Sequence, residues 1–159
     1  MLRHVLAILM LPFVVVVLVP RWLLAGSGLQ ATTGGMHFTA SVLGAVVFLA
    51  GFSLFAWCVA LFARVGQGTL APWDPTRRLV AAGPYRYTRN PMITAVATML
   101  AGEAIFLQSS RVAWWMATFV ALNHLYFLLL EEPGLVARFG EDYERYRAEV
   151  PRWLPRTKP

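Results

Sequence analysis

Four apolar stretches divide this chain, at about His4 to Leu24, Phe38 to Ala63, Met92 to Gln108 and Val112 to Leu130. At 1.5 Å per helical residue, roughly 20 residues cross a hydrocarbon core about 30 Å thick, and backbone in lipid has to satisfy its own N–H and C=O groups. The pattern predicts an all-α fold, an integral membrane helix bundle of about four transmembrane helices. The composition agrees, since 58% of residues are apolar and only 14% charged, which is not the balance of an ordinary soluble domain. With 159 residues and no internal repeat, a single domain over residues 1–159 is expected.

The first stretch contains Pro12 and Pro20, which predict a kink or an early end. It is longer than the apolar core of a secretion signal and no small-x-small cleavage site closes it, so it is expected to be retained as a span. In the second stretch Gly44 and Gly51 offer surfaces for close helix contact. From Arg64 to Asn90 the chain is rich in Gly, Pro and Arg, and Pro72, Pro75 and Pro84 argue for an interfacial loop. Pro91 suits a first helical turn. The short connection after the third stretch predicts an antiparallel hairpin with the fourth. Beyond Glu131, the residues Leu135, Phe139, Tyr143, Tyr146 and Val150 recur at steps of three and four. That spacing predicts a C-terminal amphipathic helix at the membrane interface, ended by Pro151 and Pro155.

Basic residues cluster between the second and third stretches (Arg64, Arg77, Arg78, Arg86, Arg89) and in the tail (Arg138, Arg145, Arg147, Arg152, Arg156, Lys158). The positive-inside rule makes both segments cytoplasmic, with both termini on that side, as in an inner-membrane protein of a bacterium. The net charge of +6 is then explained by orientation and anionic lipid headgroups; no nucleic-acid-binding motif accompanies it. Cys58 is the only cysteine, and His4, His37 and His124 match no metal spacing. Neither a metal nor a nucleic acid is expected as a partner.

The hairpin brings Arg89-Asn90, just before the third stretch, next to Glu131-Glu132, just after the fourth. Paired carboxylates at a helix end accept hydrogen bonds from hydroxyls or pair with an ammonium, while Arg and Asn donate to a carboxylate. Those are the polar features of S-adenosylmethionine. The plainer reading is that Arg89 pairs with Glu131 or Glu132 and pins the hairpin. Carboxylates at a helix C-terminus also oppose the helix dipole.

From Gly83 to Pro155 the chain resembles the isoprenylcysteine carboxyl methyltransferase and phospholipid methyltransferase superfamily. Gly83, Tyr85, Arg89, Pro91, Glu131, Glu132, Leu135, Phe139, Gly140, Tyr143, Tyr146, Val150, Pro151 and Pro155 match the pattern in order and spacing. The resemblance implies an integral membrane methyltransferase that binds S-adenosylmethionine beside a lateral opening for a lipid-soluble acceptor. It places the cofactor on Arg89, Asn90, Pro91, Glu131 and Glu132, with Tyr85, Arg86 and Tyr87 as weaker candidates. Three positions depart from the pattern: Asn90 where His is frequent, Ile93 where Tyr is frequent, and Ala95 where Gly is frequent. Phe127 and Leu128 also stand where isoprenylcysteine enzymes carry an Arg, so the acceptor is expected to be a small or lipid-like amine, thiol or carboxyl compound rather than a prenylcysteine.

Two more polar sites fall within the apolar stretches, where an ionisable group needs a partner or a function. Glu103 is expected to form a structural hydrogen bond, and Asn123-His124 are candidates for binding the acceptor, with a satisfied interhelical histidine equally open. No catalytic residue is assigned, because methyl transfer from a sulfonium depends chiefly on alignment and exclusion of water. Other classes remain open: a non-enzymatic membrane scaffold or lipid-interacting subunit, and a nicotinamide-dependent reductase sharing the pattern.

Overall fold

The computed structural model describes residues 10–25, 35–61, 64 and 79–156. Arg3, His4, most of the loop expected from Arg64 to Asn90, with Arg77 and Arg78, and Lys158 lie outside the described residues. Among the described residues the structure is helical, without strands. The helices are α1 (Met10–Leu24), α2 (Gly35–Leu61), α3 (Pro91–Phe106), α4 (Ser110–Tyr126), α5 (Glu132–Phe139) and α6 (Glu141–Glu149). A 3₁₀ turn, Gly83–Arg86, precedes α3.

Among the described residues two helices are long and apolar enough to cross a membrane, His37–Leu61 and the continuous Ser110–Phe139, while Met10–Leu24 and Pro91–Phe106 are shorter. The 16 residues of α3 reach only about 24 Å. That helix ends because Gln108 turns left-handed at φ 48°, with the Ser109 N–H reaching back to the Ala104 carbonyl at 3.0 Å. This is a Schellman-type stop made without glycine.

The chain forms two compact units: Met1–Ser53 with Ala95–Phe119, and Leu54–Thr94 with Val120–Pro159. In the first, α2 and α3 meet through glycine. A Cβ on Gly44 would stand 2.5 Å from the Phe106 backbone nitrogen, one on Gly102 would stand 2.5 Å from that of Phe48, and one on Gly51 would stand 2.8 Å from the Ala95 carbonyl oxygen. The close contacts expected of Gly44 and Gly51 are therefore present, and Gly102 supplies the facing surface.

Pro20 does not end α1. A π-helical turn at Val14–Leu18 shifts the hydrogen-bond register, with the Val19 N–H donating to Val14. In that register the carbonyl of Val15 would look to residue 20, and proline has no N–H to offer. The Trp115 indole donates to Val15 instead, at 2.9 Å.

In the second unit the same device carries the chain past Pro133. The turn Phe127–Glu131 is π-helical, so α4 runs on into α5, and Glu131-Glu132 do not end a helix as the sequence reading expected. Glu132 instead sits in the first turn of α5. The tail is likewise not one amphipathic helix: Gly140, at φ 53° and ψ −129°, separates α5 from α6 in a conformation that L side chains avoid. The break buries Tyr143 on α6 and Val150 just after it, while Leu135 and Phe139 on α5 stay half-buried.

Candidate functional site

The ten residues that the sequence proposes for cofactor or acceptor all lie in the second unit. Gly83 opens the 3₁₀ turn at φ 55°, and its missing Cβ leaves room for Leu61 and Trp57. Pro91, fully buried, fixes the first turn of α3. Between them the backbone is held by a strap formed from residues 151–156. Arg89 N–H donates to the Pro151 carbonyl at 2.9 Å and Arg156 N–H to that of Tyr87 at 3.0 Å. The Thr88 hydroxyl donates to the Arg152 carbonyl at 2.7 Å, and the Tyr146 hydroxyl to the Tyr85 carbonyl at 2.7 Å. The strap therefore aims Arg89 and delivers Arg152 together.

Both arginines converge on one carboxylate oxygen. Arg89 Nη1 donates to Glu132 Oε1 at 2.8 Å, and Arg152 donates to the same oxygen through Nε and Nη2, each at 2.8 Å. The side chains of Arg89, Glu132 and Arg152 are only 11%, 10% and 18% exposed. Taking these charges from water is costly, and two guanidiniums on one carboxylate leave one positive charge in excess. Arg89 Nε is buried with no acceptor among the described residues, although nearly all buried donors find one. Next to Glu132, the half-buried Glu131 makes no hydrogen bond or ion pair among the described residues. The triad holds a spare donor and a spare cation beside an uncommitted carboxylate.

Arg89 Nη1 also lies 3.5 Å from the Tyr143 hydroxyl. Burial, more than any charge nearby, raises the phenols of Tyr143 and Tyr146 above their ordinary value. Burial and then Cys58 raise that of Tyr85 further. All three are therefore present as neutral hydroxyls.

The structure joins Arg89 to Glu132 and sets Asn90 and Pro91 at the start of the same helix. The Asn90 carbonyl accepts from the Thr94 N–H and hydroxyl at 3.1 and 3.0 Å. Tyr85 belongs instead to a buried cluster with Cys58 and Val80. Arg86 and Tyr87 turn their side chains outward, and the carbonyl of Arg86 accepts from Arg156 Nε at 2.8 Å. His124 Nδ1 accepts from the Trp153 indole at 3.1 Å, with Phe127 5.8 Å from the Trp153 ring; Asn123, half-buried, precedes it. An indole only donates, so a neutral His124 carries its proton on Nε2.

Sequence reasoning missed Arg152, Tyr143, Thr88 and Trp153 as parts of this constellation. Arg152 sits between Pro151 and Pro155 of the resemblance pattern, but its charge reads there only as an orientation signal.

The sequence model for phospholipid methyltransferases matches residues 39–142, from α2 to the start of α6, and so includes Arg89, Glu131 and Glu132 but not Arg152. No curated protein sequence and no solved structure matches the chain. On the extent of that match the chain belongs to the phospholipid methyltransferase family, which implies methyl transfer as its chemistry.

Proposed function

We propose that this chain is a single-domain integral membrane methyltransferase that uses S-adenosylmethionine. Its acceptor is a small or lipid-like molecule with an amine, thiol or carboxyl group, met at the cytoplasmic membrane face. The observation that carries the reading is the buried Arg89 Nε without an acceptor in a cluster with one surplus positive charge. A carboxylate satisfies both needs at once. Glu131, uncommitted beside it, suits an ammonium or a pair of ribose hydroxyls. The residues present thus fit the polar groups of the cofactor, with Arg89, Asn90 and Glu131 holding it and Glu132 and Arg152 holding Arg89.

Bound there, the cofactor supplies a sulfonium methyl to the lone pair of an acceptor. The chain supplies orientation through the two arginines and the strap, and a dry wall through Tyr85, Tyr143 and Phe127, all buried. Asn123 and His124 are assigned to the acceptor, His124 offering Nε2–H as a donor.

Membrane embedding is supported by the exposure of two helices. Only 22% of the most apolar stretch of His37–Leu61 and 17% of that of Ser110–Phe139 is buried, whereas a core helix of a soluble protein is mostly buried. Leu43, Val46, Leu49 and Phe52 on α2, Leu122 and Leu125 on α4 and Leu129 in the turn after it stand exposed. Water would not leave so much apolar surface uncovered.

Titration of the detergent-purified protein with S-adenosylhomocysteine tests the assignment. Binding heat is expected, with an affinity about tenfold weaker in Arg89→Lys, since lysine keeps the charge but not the planar fork. Heat from a nicotinamide nucleotide instead would move the chain to the reductase class, and heat from neither would leave a scaffold.

A further inference from the structure

Of the two polar sites within the apolar stretches, Glu103 stands in the first unit, its Oε2 enclosed with no hydrogen-bond partner among the described residues. The hydrogen bond expected there from the sequence is absent for that oxygen. His124, in the second unit, is tied to the strap instead, at a point outside the cluster of Arg89, Glu132 and Arg152.

Arg152 and Trp153 are consecutive, and both reach the continuous helix that α4 and α5 make. Arg152 meets Glu132 through Nε and Nη2, each at 2.8 Å, and the Trp153 indole meets His124 Nδ1 at 3.1 Å. His124 precedes the π-helical turn Phe127–Glu131 and Glu132 follows it, so the two contacts straddle that turn. A π turn accommodates one extra residue, and losing it would swing Glu132 by about 100°. Contacts on both sides oppose such a rotation.

Trp153 reaches His124 with its N–H edge and not by stacking, since the ring centroids are 6.1 Å apart and the planes meet at 34°. The buried Phe127 backs the indole at 5.8 Å. Arg152 is a long side chain, and ordering it costs rotamer freedom. Its backbone is restrained on one side by Pro151, whose φ is fixed, and by the Thr88 hydroxyl on its carbonyl at 2.7 Å. Trp153 on His124 restrains the other side. His124 Nε2 forms no hydrogen bond among the described residues.

We propose that Trp153 is a positioning residue for the cofactor. Through its hydrogen bond to His124 it fixes the strap so that Arg152 holds Glu132 and Glu132 holds Arg89 in the geometry that receives S-adenosylmethionine. His124, assigned to the acceptor, thereby contributes to cofactor affinity without touching the cofactor, a role that rests on the cofactor reading of the previous section.

Trp153→Phe keeps a ring against Phe127 and drops the N–H. In calorimetric titration of the detergent-purified protein it is expected to bind S-adenosylhomocysteine about fivefold more weakly than the parent, the factor of one neutral hydrogen bond. His124→Leu, which drops the acceptor of the same bond, should lose the same factor, and the double variant no more than either alone. In an Arg152→Gln background Trp153→Phe should change the affinity no further. Nitrogen-15 NMR of labelled histidine adds a signature that loosened packing does not produce: the parent carries its His124 proton on Nε2, and Trp153→Phe lets the two tautomers mix. Parent-like binding by Trp153→Phe, losses that add in the double variant, or a loss that persists in the Arg152→Gln background overturns the proposal. So does a proton on His124 Nδ1 of the parent, a result that stands even if every variant fails to fold. A parent that binds S-adenosylhomocysteine while Trp153→Phe makes no difference loses this role alone, and a parent that binds none loses the cofactor reading with it.

Discussion

At the residue scale, Glu131 and Glu132 are neighbours in sequence with different tasks. Glu132 receives two arginines on one oxygen, so Glu132→Gln leaves two desolvated guanidiniums facing each other. It is expected to cost about 3 kcal/mol of stability, the scale of breaking a buried pair, seen as a lower melting temperature in detergent. Glu131→Gln, with no ion pair to lose, should stay within about 0.5 kcal/mol of the parent yet weaken S-adenosylhomocysteine about tenfold. Equal melting of the two variants would refute the division of labour. The meeting of Arg89 with this pair was legible, because Pro91 and two apolar stretches of similar length put both on one side of a membrane. Which glutamate Arg89 takes was not. Adjacent helical residues point about 100° apart, and the π turn that rotates them leaves no mark in sequence periodicity. Arg152 was hidden for another reason: it reaches Glu132 beside Arg89, 63 positions earlier in the chain, only because the strap is bonded to Thr88 and Arg89.

At the scale of elements, glycine and proline decide the packing. Gly102→Ala would ordinarily strengthen a helix by about 1 kcal/mol. Here the new methyl would meet backbone of α2 at 2.5 Å, and backbone does not yield as a flexible side chain does. Overpacking of this kind typically costs 1 to 3 kcal/mol, so the variant is expected to melt below the parent, and a higher melting point would show that α2 and α3 are not in glycine contact. Gly44 and Gly51 announced this contact in the sequence; Gly102 did not, since nothing local says which face of α3 turns to α2. The prolines were half legible, because a proline inside a helix reads as a kink or an early end and Pro20 does not end its helix. Two π turns and one borrowed tryptophan donor keep α1 and α4 running. Gly140 was legible as a motif residue but not as a hinge, since the apolar spacing continues across it unchanged.

For the molecule as a whole, two measurements are decisive. Cysteines placed at Gly68 and Lys158, both outside the described residues, are expected to react only with reagents that reach the cytoplasm, as the basic residues around them require. Labelling from opposite sides would end the four-span reading. The second is alkaline stability. Tyr85, Tyr143 and Tyr146 hold their protons above the ordinary phenol value of 10.0, so in the unfolded chain the same phenols ionise first. The unfolded state then binds fewer protons and stability falls as pH rises past about 10. Tyr146→Phe should make that fall shallower in pH-dependent melting, and an unchanged slope would place Tyr146 in contact with water. The strap of residues 151–156 also sets an order of events during biosynthesis. A ribosome delivers these residues after every helix described here has been made, and Arg89 has no backbone anchor on Pro151 until they arrive. A nascent chain stalled after Glu149 is therefore expected to insert its helices in the membrane but to be deaf to S-adenosylhomocysteine, so that ligand binding reports completed synthesis rather than insertion.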